Sequence, residues 1–361
     1  MTDDATVVRD PDAVTPGWLT EVLRADGLLS RGIVTAVHPT PIGAGLMGQC
    51  TRIVLEVDDP DDVTPAALVV KGAATDPQVR AFMAHTGYRA EVCFYRHFAR
   101  DLPVRAPRCS HAAIDDDGWF TLVLEDLSPA EPGDQLVGCK VAQVERAVLE
   151  LVGLHAPRWG DPSLATHPCI TRPATDVDLI AAGLAATVPG FVERYRAALD
   201  DAAVDFFERL GAGAAGWYRA RPKPTTLIHS DYRPDNLLFG TTAGGPEVAV
   251  VDWQGLTHGA GVADVAFLVG NALTVDDRRH HEERLVRSYH HALVAAGVGG
   301  YSWDDCWREY RASLLSGLLT TVFGSMYGVR TERGDRMFEL MAQRHATQAL
   351  DLGADTLLDP R

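Results

Sequence analysis

Lysine is almost absent from this chain: among 361 residues only Lys71, Lys140 and Lys223 occur, and Arg otherwise supplies the positive charge. Cations are outnumbered, 33 Lys and Arg against 49 Asp and Glu, and the formal net charge of -16 excludes nucleic-acid binding through phosphates, which needs clustered Lys and Arg. Long apolar runs are missing too, as is a charged-then-apolar leader after Met1, so neither membrane insertion nor export is expected. The six cysteines are scattered without a C-x-x-C pair, so neither a disulfide framework nor a zinc site is expected, and a reducing cytoplasm is the expected compartment. No internal repeat and no low-complexity tract interrupts the chain. What remains is ordinary globular composition, 46% hydrophobic and 23% charged, with length enough for one large domain or two lobes.

Local patterns divide the chain near Leu127. Thr15 followed by Pro16 opens a short helix. Ile33 to Val37, Thr51 to Val57, Ala67 to Val70, the region around Ala112 and Phe120 to Leu124 read as strands, with one helix from about Pro77 to Phe98. Ser128-Pro129-Ala130-Glu131-Pro132-Gly133 then reads as a loop. Beyond it Val141, Val144, Val148, Leu151 and Leu154 form a helical stripe, and Ile180 to Leu199, Ala203 to Tyr218 and most of Val262 to Leu357 read as helix. The expectation is a two-lobed α+β fold: residues 1–127 as a nucleotide-binding lobe built on a small, mostly antiparallel sheet, and residues 128–361 as a larger helical lobe for catalysis and acceptor binding, with a cleft between them.

The chemistry concentrates in His229-Ser230-Asp231-Tyr232-Arg233-Pro234-Asp235-Asn236 and in Asp252-Trp253-Gln254. Leu237-Leu238-Phe239 and Val248 to Val251 are short strands around a turn-rich Gly240 to Pro246, so Asn236 before one and Asp252 after the other return to the same edge. An amide oxygen and a carboxylate there suit Mg²⁺, which prefers hard oxygen ligands and shares its octahedron with water and phosphate. Asp231 is left to take a proton from an acceptor hydroxyl. An Asp base, an Asn and a second Asp are the parts with which kinases hold Mg²⁺ and ATP and deprotonate an acceptor.

Lys71 ends the apolar strand Ala67-Leu68-Val69-Val70, where a compact ammonium reaches nucleotide phosphates. Glu91 on the next helix is its expected partner. Gly43, Gly45 and Gly48 match G-x-G-x-x-G but lie between two strands, which removes the dinucleotide-binding context and favours a glycine-rich hairpin over phosphates. Glu125 and Leu127, at the crossing between lobes, are main-chain candidates for the edge of the base, and Asp264 is expected to brace the catalytic loop.

Taken together, Lys71, Glu91, Glu125-Asp126-Leu127, His229 to Asn236, Asp252-Trp253-Gln254 and Asp264 resemble the aminoglycoside and choline phosphotransferase superfamily. The wording of the His229 motif with Asp-Trp-Gln is similar to its ecdysteroid-kinase-like branch and related bacterial proteins. The resemblance spans roughly residues 35 to 350. It implies a protein-kinase-like fold and ATP- or GTP-dependent phosphorylation of a small-molecule hydroxyl: an aminoglycoside or sugar, an amino alcohol or a steroid-like alcohol. It makes Asp231 the base, Asn236 and Asp252 the Mg²⁺ ligands and Lys71 the phosphate-binding lysine. Ser230 departs from the Gly common in the family, a change expected to leave the loop intact. A protein kinase fits less well, because the short run from Asp252 to Asp264 leaves no room for an activation loop; a catalytically silent binding module is the competing class. The acceptor pocket is expected from Ile180 to Tyr218 and Thr274 to Gly328, where the acidic pairs Asp276-Asp277 and Asp304-Asp305 would suit a cationic acceptor and the apolar run Leu314 to Tyr327 a flat alcohol.

Overall fold

A computed structural model describes residues 6–43, 47–59, 64–85, 87–170, 177–219, 225–328 and 330–358. Thr15 caps α1 (Pro16–Ala25), its hydroxyl accepting from the Trp18 N–H at 3.3 Å. β1 (Val34–Ile42) and β2 (Gln49–Val57) form an antiparallel hairpin, and β3 (Ala67–Gly72) pairs with β2 so that Lys71 stands opposite Cys50. α2 (Pro77–Ala84) and α3 (Gly87–His97) follow, and β4 (Cys109–Ile114) with β5 (Phe120–Glu125) completes a five-stranded sheet in the order β1-β2-β3-β5-β4, antiparallel throughout.

Alternation along the strands splits the packing between two faces. Ile53, Leu68, Val70 and Val123 bury against Leu19 and Leu23 of α1 in a small core. Phe120, Leu122 and Leu124 point the other way and join Tyr88 and Phe94 of α3 in the main core, which runs on without interruption into the helical half.

That half begins with β6 (Glu131–Pro132) and α4 (Val141–His155), then α5 (Val177–Tyr195) and α6 (Asp201–Arg219). β7 (Thr226–Ile228), β8 (Leu237–Phe239), β9 (Ala249–Val250) and β10 (Thr257–Gly259) are short: β8 pairs with β6 and β9, and β7 with β10. α7 (Val262–Ala272), α8 (Val275–Ala295), α9 (Trp303–Tyr327) and α10 (Glu332–Asp351) complete the fold. The architecture is a kinase-like α+β fold, an antiparallel sheet followed by a largely helical part.

Two expectations are corrected. The single helix from Pro77 to Phe98 is two helices, because the chain turns after Ala84 and seats Gly87 where an added Cβ would lie 2.3 Å from Met83 Cε and 3.2 Å from Gln254 Cβ. Cys93 of α3 and Cys169 form a disulfide across a separation of 76 residues, where none was expected. Their closeness comes from the packing of α3 against the turns after α4, which no local spacing of cysteines encodes.

Candidate active site

The loop between β7 and β8 is fixed from behind. Asp264, in the first turn of α7, accepts from the backbone N–H groups of His229 (2.7 Å) and Ser230 (2.9 Å). Its carboxylate also meets His155 Nε2 at 3.3 Å, and His155 Nδ1 meets the Tyr289 hydroxyl at 2.7 Å, all in the buried interior. His229 Nδ1 accepts from the Asp231 N–H at 3.2 Å, so its proton sits on Nε2, which donates to the Val251 carbonyl at 3.1 Å. Ser230, directly before Asp231, adopts a left-handed backbone, φ 66°. Gly255 faces this loop so closely that a Cβ would lie 2.4 Å from the His229 carbonyl oxygen, which only glycine tolerates.

Asp231 is held on two sides: Asn236 Nδ2 donates to its carboxylate at 2.8 Å and to its carbonyl at 2.9 Å, and Arg233 Nε lies 3.2 Å from the carboxylate. Burial raises its pKa above the usual carboxylate value, the attraction of Arg233 opposes this, and the charge of Asp252 adds to the rise. Arg233 is not dedicated to Asp231, because it also pairs with Asp235 at 2.7 Å, and Asp235 pairs in turn with Arg333 of α10 at 3.1 Å.

Asp252 follows β9 in a left-handed conformation, φ 65°, and its carboxylate lies 3.1 Å from Lys71 Nζ. Lys71 reaches Glu91 of α3 at 2.8 Å on its other side, and both residues are buried. Burial alone would lower the lysine pKa, yet Asp252 and Glu91 together raise it, so the ammonium stays charged. Asp252 moves the opposite way from Asp231: burial pushes its pKa up, but Lys71 outweighs it and the net shift is down. The turn is tied to α3 as well, with the Trp253 N–H 3.3 Å and Gln254 Nε2 3.4 Å from the Glu91 carboxylate, and the Trp253 ring stacked on Phe94 at 3.5 Å.

The oxygens needed by a hard cation are available. Both Asn236 amide hydrogens point at Asp231, so Oδ1 faces away and accepts no hydrogen bond among the described residues. The Val251 N–H donates to the Asn236 carbonyl at 3.0 Å and Leu237 pairs with Val250, which brings Asn236 and Asp252 to one end of the β8–β9 hairpin. An amide oxygen and a carboxylate kept ionised fit Mg²⁺.

Gly48, just before β2, lies against the end of β3. A Cβ on Gly48 would lie 2.9 Å from the Gly72 carbonyl oxygen, Gly43 has φ 75°, and Gly45 lies outside the described residues. Tyr88 of α3 donates to the Met47 carbonyl at 2.8 Å, tying the hairpin to the helix that carries Glu91. The Glu125 carboxylate is occupied by both Arg105 guanidinium nitrogens (2.7 and 2.9 Å), and its N–H donates to the Arg108 carbonyl at 2.8 Å. The Leu127 carbonyl accepts from Ala130 at 3.0 Å, leaving the Leu127 N–H without a partner among the described residues.

The acidic pairs open two helices. Asp276-Asp277 and Asp304-Asp305 occupy the first turns of α8 and α9, where Asp277 and Asp305 exchange hydrogen bonds with the capping hydroxyls of Thr274 and Ser302. They cap helices and complement the helix dipole, which accounts for them without an acceptor. Two surface cavities, of about 560 and 480 Å³, lie between α5 and α6 and behind α4, and Asp231 lines neither. Asp231 is bordered by Arg233, which also meets Asp235 and the Met337 sulfur of α10 at 3.6 Å, and Asp235 meets Arg333 of α10. Sequence reasoning missed these residues along with His155 and Tyr289. For Arg233 the signal was present, since it stands inside the motif.

Residues 75–312 match the profile of the phosphotransferase enzyme family (APH). No curated protein matches the chain in sequence. Among solved structures, the GDP complex of wild-type aminoglycoside 2'-phosphotransferase-IIIa is similar at 14% identity and TM-score 0.51, over 92% of this chain and 98% of that one. Choline kinase from Cryptosporidium parvum Iowa II is similar at 12% identity and TM-score 0.52, over 94% and 92%. Plasmodium vivax ethanolamine kinase is similar at 11% identity and TM-score 0.51, over 90% and 86%.

Proposed function

The chain belongs to the phosphotransferase enzyme family, and we propose that it transfers the terminal phosphoryl group of ATP or GTP to a hydroxyl of a small molecule. The observation that carries this reading is the pair of oppositely tuned carboxylates: Asp231 with its pKa raised and Asp252 with its pKa lowered beside Lys71. A base works best when its pKa approaches the working pH, and a metal ligand works best when it stays ionised. Asp231 accepts the acceptor hydroxyl proton, held toward it by Asn236 and Arg233. Asn236 and Asp252 hold Mg²⁺, which when bound neutralises charge between nucleotide phosphates. Lys71, oriented by Glu91, reaches those phosphates under the hairpin bearing Gly43, Gly45 and Gly48, and the Leu127 N–H meets the base edge beside Glu125.

Residues 1–127 are the proposed nucleotide lobe and 128–361 the acceptor lobe, with the cytoplasm, where the donor is abundant, as the compartment. No helix among the described residues is long and apolar enough to cross a membrane. The motif wording supports a place in the ecdysteroid-kinase-like branch, and hence a test of steroid-like alcohols beside aminoglycosides and amino alcohols. The experiment is nucleotide turnover over such a panel, with and without Mg²⁺. Turnover that requires metal and one small alcohol, and that disappears in Asp231→Asn, is the expected result. Phosphorylation of Ser or Thr in proteins, with none of the alcohols accepted, overturns it.

A further inference from the structure

Away from the cleft, α3 and the turns after α4 bring a second set of ligating side chains together. Cys93 lies on α3 with His97 four residues on, and residues four apart share a helix face. His167 and Cys169 sit on successive turns, closed by the His167 N–H to the Leu164 carbonyl (3.3 Å) and the Ile170 N–H to the His167 carbonyl (3.2 Å). One ligand atom from each of Cys93, His167 and Cys169 lies within 4.8 Å of the others, and Cys169 Sγ is 3.3 Å from His167 Nδ1. The rings of His97 and His167 are 5.7 Å apart, centre to centre.

We propose that in its reduced form the group of Cys93, His167 and Cys169 is a binding site for a soft divalent cation of the zinc class, with His97 turning in as the fourth ligand. Two thiolates and two imidazoles are a standard tetrahedral set for such an ion. The Cα atoms of the two cysteines are 5.9 Å apart, a spacing that serves a disulfide and equally serves two sulfurs on one ion, each bonded at about 2.3 Å. Charge is compatible, since two thiolates cancel the dication. Arg158, whose guanidinium lies 5.5 Å over the Phe98 ring that in turn abuts His167, then faces no net positive charge. The disulfide and the metal exclude each other. A dithiol reductant supplies two electrons and two protons to open the disulfide and is itself oxidised to a disulfide; the ion then displaces the two thiol protons. Mixed Cys and His spacing, C-x-x-x-H on a helix and H-x-C on turns 76 residues after the first cysteine, is why no familiar zinc pattern is visible in the sequence.

The test uses the full chain, reduced with a dithiol, freed of reductant and metal under anaerobic conditions, and titrated with Co²⁺. One equivalent of Co²⁺ is expected to produce sulfur-to-cobalt charge-transfer absorption, abolished by Zn²⁺ and absent in the unreduced protein. Cys169→Ser, at a half-buried position, is expected to remove the charge-transfer band, and His167→Gln to weaken binding by about tenfold or more. Cys139→Ser, which belongs to no such cluster, leaves the titration unchanged. Reduced wild type without the absorption, or a band that persists in Cys169→Ser, overturns the proposal.

Discussion

Two charge clusters of the candidate site each set one cation between two carboxylates. Toward the proposed nucleotide Lys71 lies 2.8 Å from Glu91 and 3.1 Å from Asp252; toward the proposed acceptor Arg233 lies 3.2 Å from Asp231 and 2.7 Å from Asp235. The outcomes differ. At Asp252 burial is outweighed by the ammonium of Lys71 and the pKa falls, whereas at Asp231 burial outweighs the attraction of Arg233 and the pKa stays raised. The same inventory of charges therefore shifts one carboxylate down and the other up, and the balance between burial and the neighbouring cation decides which.

The strongest way to break this contrast is to neutralise each carboxylate in turn. Asp231→Asn is expected to lower turnover by about 10²- to 10⁴-fold with nucleotide affinity nearly intact, whereas Asp252→Ala or Asn236→Ala should weaken Mg²⁺-dependent nucleotide binding. Calorimetric titration with ATP, with and without Mg²⁺, separates the two, and metal-independent binding would remove Asn236 and Asp252 from their proposed roles. Lys71→Met comes next. It leaves Glu91 buried without its cation, and breaking such a pair typically costs about 3–5 kcal/mol, read as a lower midpoint in denaturant unfolding.

The acid limb of the turnover profile sharpens the contrast further. Because the Asp231 pKa is raised, half-activity on the acid side should lie above the ordinary carboxylate value of about 4. Arg233→Met removes a charge that favours the ionised form, so the limb should move to still higher pH; a shift to lower pH would contradict the assignment. Stability carries the opposite sign in the two clusters. The depressed Asp252 pKa stabilises the fold above the unfolded carboxyl value, and this is lost as pH falls through the folded value, so Asp252→Asn should lower Tm near neutrality. The raised Asp231 pKa works against the fold once the group ionises, so Asp231→Asn should raise Tm slightly, on the order of 1 °C. The smallest effect is expected from Ser230→Gly. It relieves a left-handed residue at about 1–2 kcal/mol while restoring about 0.5–1 kcal/mol of unfolded-chain entropy, a net gain of about 0–1.5 kcal/mol.

What the sequence discloses follows from how local each requirement is. The proposed metal-binding hairpin reads from residues 229–252 because its parts lie on one continuous segment, and Lys71 stands out because lysine is so scarce. The strands of the sheet read from alternation, since its two faces pack against different cores. The partners of Arg233 and Asp235 do not, because Met337 and Arg333 arrive from α10, about a hundred residues away. The acidic pairs carry two readings in sequence for a related reason: a capping carboxylate and a ligand-binding one are the same residue until the hydroxyl before it is seen to exchange hydrogen bonds with it.

The scarcity and burial of Lys71 have a practical use. An ammonium that stays protonated between two carboxylates is a poor nucleophile, so general amine reagents should pass it by and modify exposed Lys140 first. A nucleotide carrying an acyl group on its terminal phosphate would deliver the electrophile directly to that amine, and peptide mapping would then read occupancy of the cleft at a single position. With so few competing amines, the chain supplies its own nearly background-free reporter of donor binding, usable before any acceptor has been identified.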